Sequence, residues 1–212
     1  MFDMSERPDL TRVICVTNRR LVIGVESAED AASGEDWQPF LERLSLIAAA
    51  GPRAIVLREK DLAPADYERL ARAVLPICHA AGVICLLHSH ADIARRLGAE
   101  GLHMPLMALA ELPAAGRRGF TRLGASCHSL ADVEAAERLG CTYVTLGHIY
   151  ETTCKPGLPP RGRTLLREVC QAAQLPVYAI GGISPARLSE VRSDGAAGAC
   201  VMSGLMRGGE WL

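Results

Sequence analysis

The side chains able to do chemistry gather at a few points of the sequence. His128 stands in Leu123-Gly124-Ala125-Ser126-Cys127-His128-Ser129-Leu130, which reads as a strand that stops, a polar turn and a helix start. Ser129 suits the N-cap of the run Leu130, Val133, Ala136, Leu139. His128 is thus expected at a βα junction, where strand ends and helix N-termini converge and chemistry is commonly placed. An imidazole there can take and return a proton near neutral pH. Arg58 and Lys60 lie two apart on an extended segment, so both can face one anionic ligand. His88-Ser89-His90 and His148 also follow apolar runs, His103 ends a short strand, and Cys154-Lys155 lies on the long loop after the sixth strand. Ala179-Ile180-Gly181-Gly182-Ile183-Ser184-Pro185 and Val201-Met202-Ser203-Gly204 are strand-to-glycine turns. Their backbone N–H groups could hold a phosphate.

The elements that must position these groups alternate. Apolar runs at Val13–Thr17, Ala54–Leu57, Val83–Leu87, Gly101–Met104, Leu123–Ser126, Thr142–Leu146, Val177–Ile180 and Ala199–Met202 read as buried strands. Between them lie helical patterns. Tyr67, Leu70, Ala71, Val74, Leu75 and Cys78 mark one face, with Pro76 placed to kink the last turn. Phe40–Ala48, Asp92–Leu97, Leu106–Ala115 (weak), Thr164–Ala173 and Pro185–Arg192 supply others, while Leu21–Asp36 reads as loop. Gly51, Gly82, Gly98, Gly140 and Gly195 each separate a helix from the next strand, as left-handed C-caps do. This alternation predicts an α/β fold: one (β/α)8 TIM barrel over residues 1–212, with a short or truncated last helix. In that barrel the chemistry-bearing residues fall together at the strand C-termini.

Composition narrows the function classes. A net charge of -1 gives no case for nucleic acid or an anionic membrane. No apolar run is long enough to span a bilayer, and Met1–Arg12 lacks a signal-like apolar stretch, so a cytoplasmic location is expected. The 8 cysteines lie mostly in apolar runs without a CxxC pair, which predicts buried thiols rather than disulfides or zinc. No carboxylate pair, GxSxG or P-loop appears.

Val56-Leu57-Arg58-Glu59-Lys60-Asp61, Gly101-Leu102-His103, Ser126-Cys127-His128-Ser129, Gly147 to Lys155 and Ala179-Ile180-Gly181-Gly182-Ile183 resemble the thiamine phosphate synthase superfamily, from about Val13 to Gly204. The resemblance implies a (β/α)8 barrel and one of two activities. A synthase joins a pyrimidine diphosphate to a thiazole phosphate with Mg²⁺; a thiazole tautomerase aromatises a carboxythiazole phosphate tautomer. Where synthases carry Gln, this chain has Val56. The Asn-Asp after their third strand, of which the Asp is a metal ligand, is His88-Ser89 here, their second metal-binding Asp falls near Met107 and Ala108, and their Pro-Thr-x-Thr-Lys is Glu151-Thr152-Thr153-Cys154-Lys155. Without the aspartates, Mg²⁺ loses hard oxygen ligands. Cys154-Lys155-Pro156-Gly157-Leu158-Pro159-Pro160-Arg161-Gly162, Val201–Gly204 and His128-Ser129-Leu130 resemble the tautomerase branch.

That resemblance implies a cofactor-free tautomerase with His128 as catalytic base and acid. Arg58, Lys60, His103, Cys154, Lys155, Gly181, Gly182, Met202, Ser203 and Gly204 would bind the substrate, with no metal. The small-molecule thiazole phosphate is the expected partner, and a homodimer is compatible with this reading. The alternatives are the Mg²⁺-dependent synthase and a non-catalytic thiazole phosphate binder or regulator. His88 and His90 have no place in either family pattern.

Overall fold

The computed structural model describes residues 8–23 and 36–212. Eight parallel strands close into a barrel in chain order. They are β1 (Val13–Val16), β2 (Ala54–Leu57), β3 (Ile84–His88), β4 (Gly101–Pro105), β5 (Arg122–Cys127), β6 (Tyr143–Gly147), β7 (Val177–Ile180) and β8 (Gly198–Val201). Closure comes from β8 returning to β1, with Ile14 beside Cys200. The helices are α1 (Arg20–Ile23), α2 (Gln38–Ala49), α3 (Pro64–Ala80), α4 (Ala91–Arg96), α5 (Leu106–Glu111), α6 (Ala114–Arg117), α7 (Leu130–Arg138), α8 (Gly162–Ala172), α9 (Pro185–Ser193) and α10 (Ser203–Met206).

The core has two layers because strand residues alternate in direction. Ile14, Val16, Ala54, Val56, Leu86, Tyr143, Tyr178 and Cys200 pack together inside the barrel. Their neighbours, such as Val13, Cys15, Ile55 and Leu57, pack outward against Phe40, Leu44, Tyr67, Leu70 and Val74 of α2 and α3. Apolar residues on both faces explain why these strands read as continuous apolar runs.

Local differences from the sequence expectation have physical causes. His88 ends β3 rather than following it. The weak helix expected over Leu106–Ala115 is two short pieces, α5 and α6, because Leu112, which precedes Pro113, takes the extended conformation (ψ 126°) that proline favours in the residue before it. α8 starts at Gly162, two residues before the expected Thr164. Pro76 lies within α3, which runs on to Ala80. Of the Leu21–Asp36 segment expected as loop, Leu21–Ile23 belong to α1 and residues 24–35 lie outside the described ones. The final helix is four residues long, as short as expected. All 8 cysteines are free thiols. No helix among the described residues is long and apolar enough to cross a membrane.

Candidate active site

A cavity of about 380 Å³ opens at the C-terminal ends of the strands. His128 lines it together with Arg58, Lys60, His103, Cys154, Lys155, Gly181, Gly182, Met202 and Ser203. Gly204, expected with them, does not line it. A Cβ at Gly204 would come within 2.6 Å of the Trp211 indole, so this glycine serves packing. Sequence reasoning missed Ser126 and Thr145, which also line the cavity. Their signal was the alternation along β5 and β6, which turns every second residue into the barrel.

The start of α7 fixes His128. Ser129 caps the helix, its hydroxyl accepting from the Asp132 N–H at 3.1 Å. The Asp132 carboxylate reaches back to the His128 N–H at 2.7 Å. This reciprocal arrangement is a capping box shifted by one residue. The ring is fixed from β6: His128 Nδ1 lies 2.6 Å from the Gly147 carbonyl oxygen. A carbonyl only accepts, so Nδ1 carries the proton and the neutral ring keeps its lone pair on Nε2. The side chain stands exposed at the cavity mouth.

His103 is held differently. Nδ1 lies 2.8 Å from the Tyr143 hydroxyl and Nε2 2.9 Å from Ser126 Oγ. Both ring nitrogens are therefore occupied, and His103 reaches a ligand only through Ser126. Burial, then the Arg58 charge, pushes it down to about 4. It is neutral at working pH. His148 donates from Nε2 to the Leu158 carbonyl at 3.2 Å, which folds the β6–α8 loop back and brings Cys154 and Lys155 to the mouth.

Arg58 and Lys60 flank Glu59, which turns the other way. Glu59 is 2% exposed. It accepts from the Thr17 hydroxyl, the Arg19 N–H and the Arg19 guanidinium. Thr17 Oγ1 in turn accepts the Arg58 N–H at 2.9 Å. This buried clamp sets the end of β2 so that alternate residues face the cavity. Burial, then Arg58 and Lys155, lowers the Lys60 pKa. No described lining residue is an Asp or Glu, so a multiply charged anion would meet cations without competition from protein carboxylates.

After β7, Gly181 and Gly182 take φ of +97° and +67°. Any Cβ would strike His148 Cβ at 2.3 Å or the Glu151 carbonyl at 2.4 Å. Only glycine fits both the conformation and the space. The turn leads into α9, whose N-cap residue Ser184 makes no side-chain cap. In the first turn Pro185 has no N–H and those of Arg187 and Leu188 bond the Ser184 carbonyl, which leaves the Ala186 N–H without a backbone acceptor among the described residues.

Residues 29–205 match the family described as thiamine monophosphate synthase. The chain belongs to that family. It is 37% identical over 180 residues to the thiamine-phosphate synthase of Roseiflexus castenholzii, covering 82% of this chain and 77% of that protein. A putative thiamine-phosphate synthase 2 of Aquifex aeolicus is 34% identical over 161 residues, covering 75% and 86%. The thiamine biosynthesis bifunctional protein ThiM/ThiE of Symbiobacterium thermophilum is 36% identical over 169 residues. That match covers 77% of this chain but 34% of the bifunctional protein. Thiamine phosphate pyrophosphorylase from Pyrococcus furiosus superposes with a TM-score of 0.75 at 21% identity, covering 96% and 91%. That likeness carries the barrel fold.

Proposed function

We propose that this family member is a thiazole tautomerase, a metal-independent isomerase that aromatises a carboxythiazole ethyl phosphate by proton transfer at His128. The observation that carries the reading is the Nδ1–H bond to the Gly147 carbonyl, which leaves Nε2 as a base at the mouth of a carboxylate-free cavity. His128 Nε2 takes a proton from the ring carbon of the dearomatised tautomer. The C–H electron pair enters the ring system, and the imidazolium returns the proton to the exocyclic carbon. Atoms and charge balance without an external reagent. Arg58, Lys60 and Lys155 stabilise the negative charge carried between the two transfers. Gly181, Gly182, Met202 and Ser203 form the phosphate end of the cavity.

Magnesium, which the synthase reaction needs, does not fit the described donor set. A hard dication takes oxygen ligands, chiefly carboxylates. The described lining offers three cationic side chains, imidazoles, thiols and the neutral hydroxyls of Ser126, Thr145, Thr152 and Ser203, with no carboxylate among them. Met107, near the expected second aspartate position, is an exposed residue of α5 outside the cavity.

The names of the relatives favour a second reading, a synthase that couples a pyrimidine diphosphate to thiazole phosphate. One NMR time course separates the two. Wild type and His128→Asn are each mixed with the dearomatised carboxythiazole phosphate in EDTA. A parallel sample receives both synthase substrates and Mg²⁺. Aromatisation by wild type alone supports the tautomerase. Thiamine phosphate formed only with Mg²⁺ establishes the synthase instead. Tight binding with no turnover in either sample leaves a thiazole phosphate binder.

A further inference from the structure

His88 and Ser89 stand where neither family pattern explains them, and their local geometry is tightly constrained. His88 is 5% exposed and lines the cavity. Its N–H donates to the Tyr67 hydroxyl at 2.8 Å, and that hydroxyl donates to the Leu57 carbonyl at 2.7 Å. One phenol thus ties the ends of β2 and β3 together. Leu57 and Leu87 are register partners, so Arg58 and His88 follow them side by side. Ser89 takes φ of +68°, the sole described non-glycine residue with positive φ. That conformation is held by its N–H to the His103 carbonyl at 3.0 Å and by the His90 N–H to the His88 carbonyl at 2.9 Å. Strained backbone of this kind persists where surroundings over-determine it, and such sites cluster at ligand clamps.

The strained turn places Ser89 Oγ 2.7 Å from His88 Nδ1. The hydroxyl has no other acceptor among the described residues, so it donates to Nδ1 and leaves the ring proton on Nε2. Nε2 has no partner among the described residues and opens on the cavity. Of the adjacent pair His88 and His103, 6.0 Å apart by ring centroid, only His88 has a free nitrogen. His90, the other unplaced histidine, packs on the Tyr67 ring at 4.3 Å and does not line the cavity.

We propose that His88 is a specificity-determining residue, its Nε2–H joining Arg58 to hold the carboxylate that distinguishes the carboxylated thiazole phosphate from the decarboxylated one. The assignment rests on the tautomerase reading and deepens it. An anion beside His88 meets Arg58 and Lys60, with His103 and His90 neutral behind them and no described carboxylate lining the space. Burial first, then His103 and those cations, pushes His88 down to about 2, so the ring donates without adding charge. A neutral donor does not repel the neighbouring guanidinium, as an imidazolium would.

Calorimetry with two ligands tests this: the aromatic carboxythiazole ethyl phosphate and the same thiazole ethyl phosphate lacking the carboxylate. Wild type is expected to prefer the carboxylated ligand by about tenfold or more, the usual scale for a charge-assisted hydrogen bond. His88→Leu should remove most of that preference and leave the decarboxylated affinity within about twofold. His88→Gln, which keeps an N–H donor, should restore part of it. Should His88→Leu fail to fold, Ser89→Gly carries the test. Glycine accepts the positive φ, while loss of the hydroxyl frees the tautomer and should reduce the preference several-fold. An undiminished preference in the folded variant overturns the assignment alone, as does an equal loss for both ligands. Failure of wild type to bind either ligand overturns the tautomerase reading and this assignment with it.

Discussion

His128 and His103 are both histidines at the strand ends, yet their partners give them different work. His128 spends one nitrogen on a carbonyl and keeps the other free. His103 spends both, on Tyr143 and Ser126. His128→Asn should lower aromatisation by about 10²–10⁴-fold, the usual contribution of a general base, with product affinity nearly unchanged. Turnover and calorimetry on the same preparation check it. His103 should appear in the pH dependence of stability instead. Its folded pKa is about 4, against 6.5 for an unperturbed histidine. Above pH 6.5 both states are neutral and the full stability is present. As pH falls from 6.5 through 4, the unfolded state gains a proton that the folded state refuses, and stability is lost. Each step of one pH across that window removes at most roughly 1.4 kcal/mol. Urea denaturation across the same range should show the decline, to which His88, held down to about 2, adds in the same direction, and His103→Gln should make it shallower.

At the level of elements, the inner face of β5 and β6 decides whether that histidine has its partner. Gly124 makes room for the Tyr143 ring: a Cβ there would lie 2.1 Å from Tyr143 Cζ. Gly124→Ala must therefore push the phenol out of line with His103 Nδ1. Overpacking of this kind costs about 1–3 kcal/mol, and it removes a buried hydrogen bond as well. The expected result is a lower urea midpoint and weaker ligand binding through Ser126, which loses the far end of its chain. A variant as stable as wild type would show that β5 can shift to accommodate the methyl group.

Across the whole molecule, the closed barrel sorts thiols that the chain distributes evenly. Cys15, Cys78, Cys85, Cys127 and Cys200 are buried, Cys141 and Cys170 half-buried, and Cys154 exposed at the cavity mouth. Burial raises Cys141 and Cys170 to about 11, so little of either is thiolate at neutral pH. A thiol-disulfide reagent should find one fast-reacting group in the native protein and 8 after unfolding. Carboxythiazole phosphate should slow the fast one, because Cys154 shares its cavity. Fast reaction of several thiols in the native protein would mean that the barrel opens readily.

Strand and helix order, and hence the barrel, were legible in the sequence because both depend on local periodicity. Apolar runs broken by helical stripes and left-handed glycines admit few other parallel arrangements. The gathering of Arg58, Lys60, His128, Lys155 and the Gly181-Gly182 turn followed from that order, since parallel strands bring all their C-termini to one end. Other features needed the tertiary structure. Gly204 belongs to Trp211, a contact across α10 that no local pattern encodes. His103 lost its free nitrogen to Tyr143, 40 residues away. His88 acquired its role from Tyr67 and from a positive φ at Ser89, neither visible in the string His88-Ser89-His90. Periodicity reports which way a residue faces. Which atom of a ring is left over for a ligand depends on every partner brought to it through space.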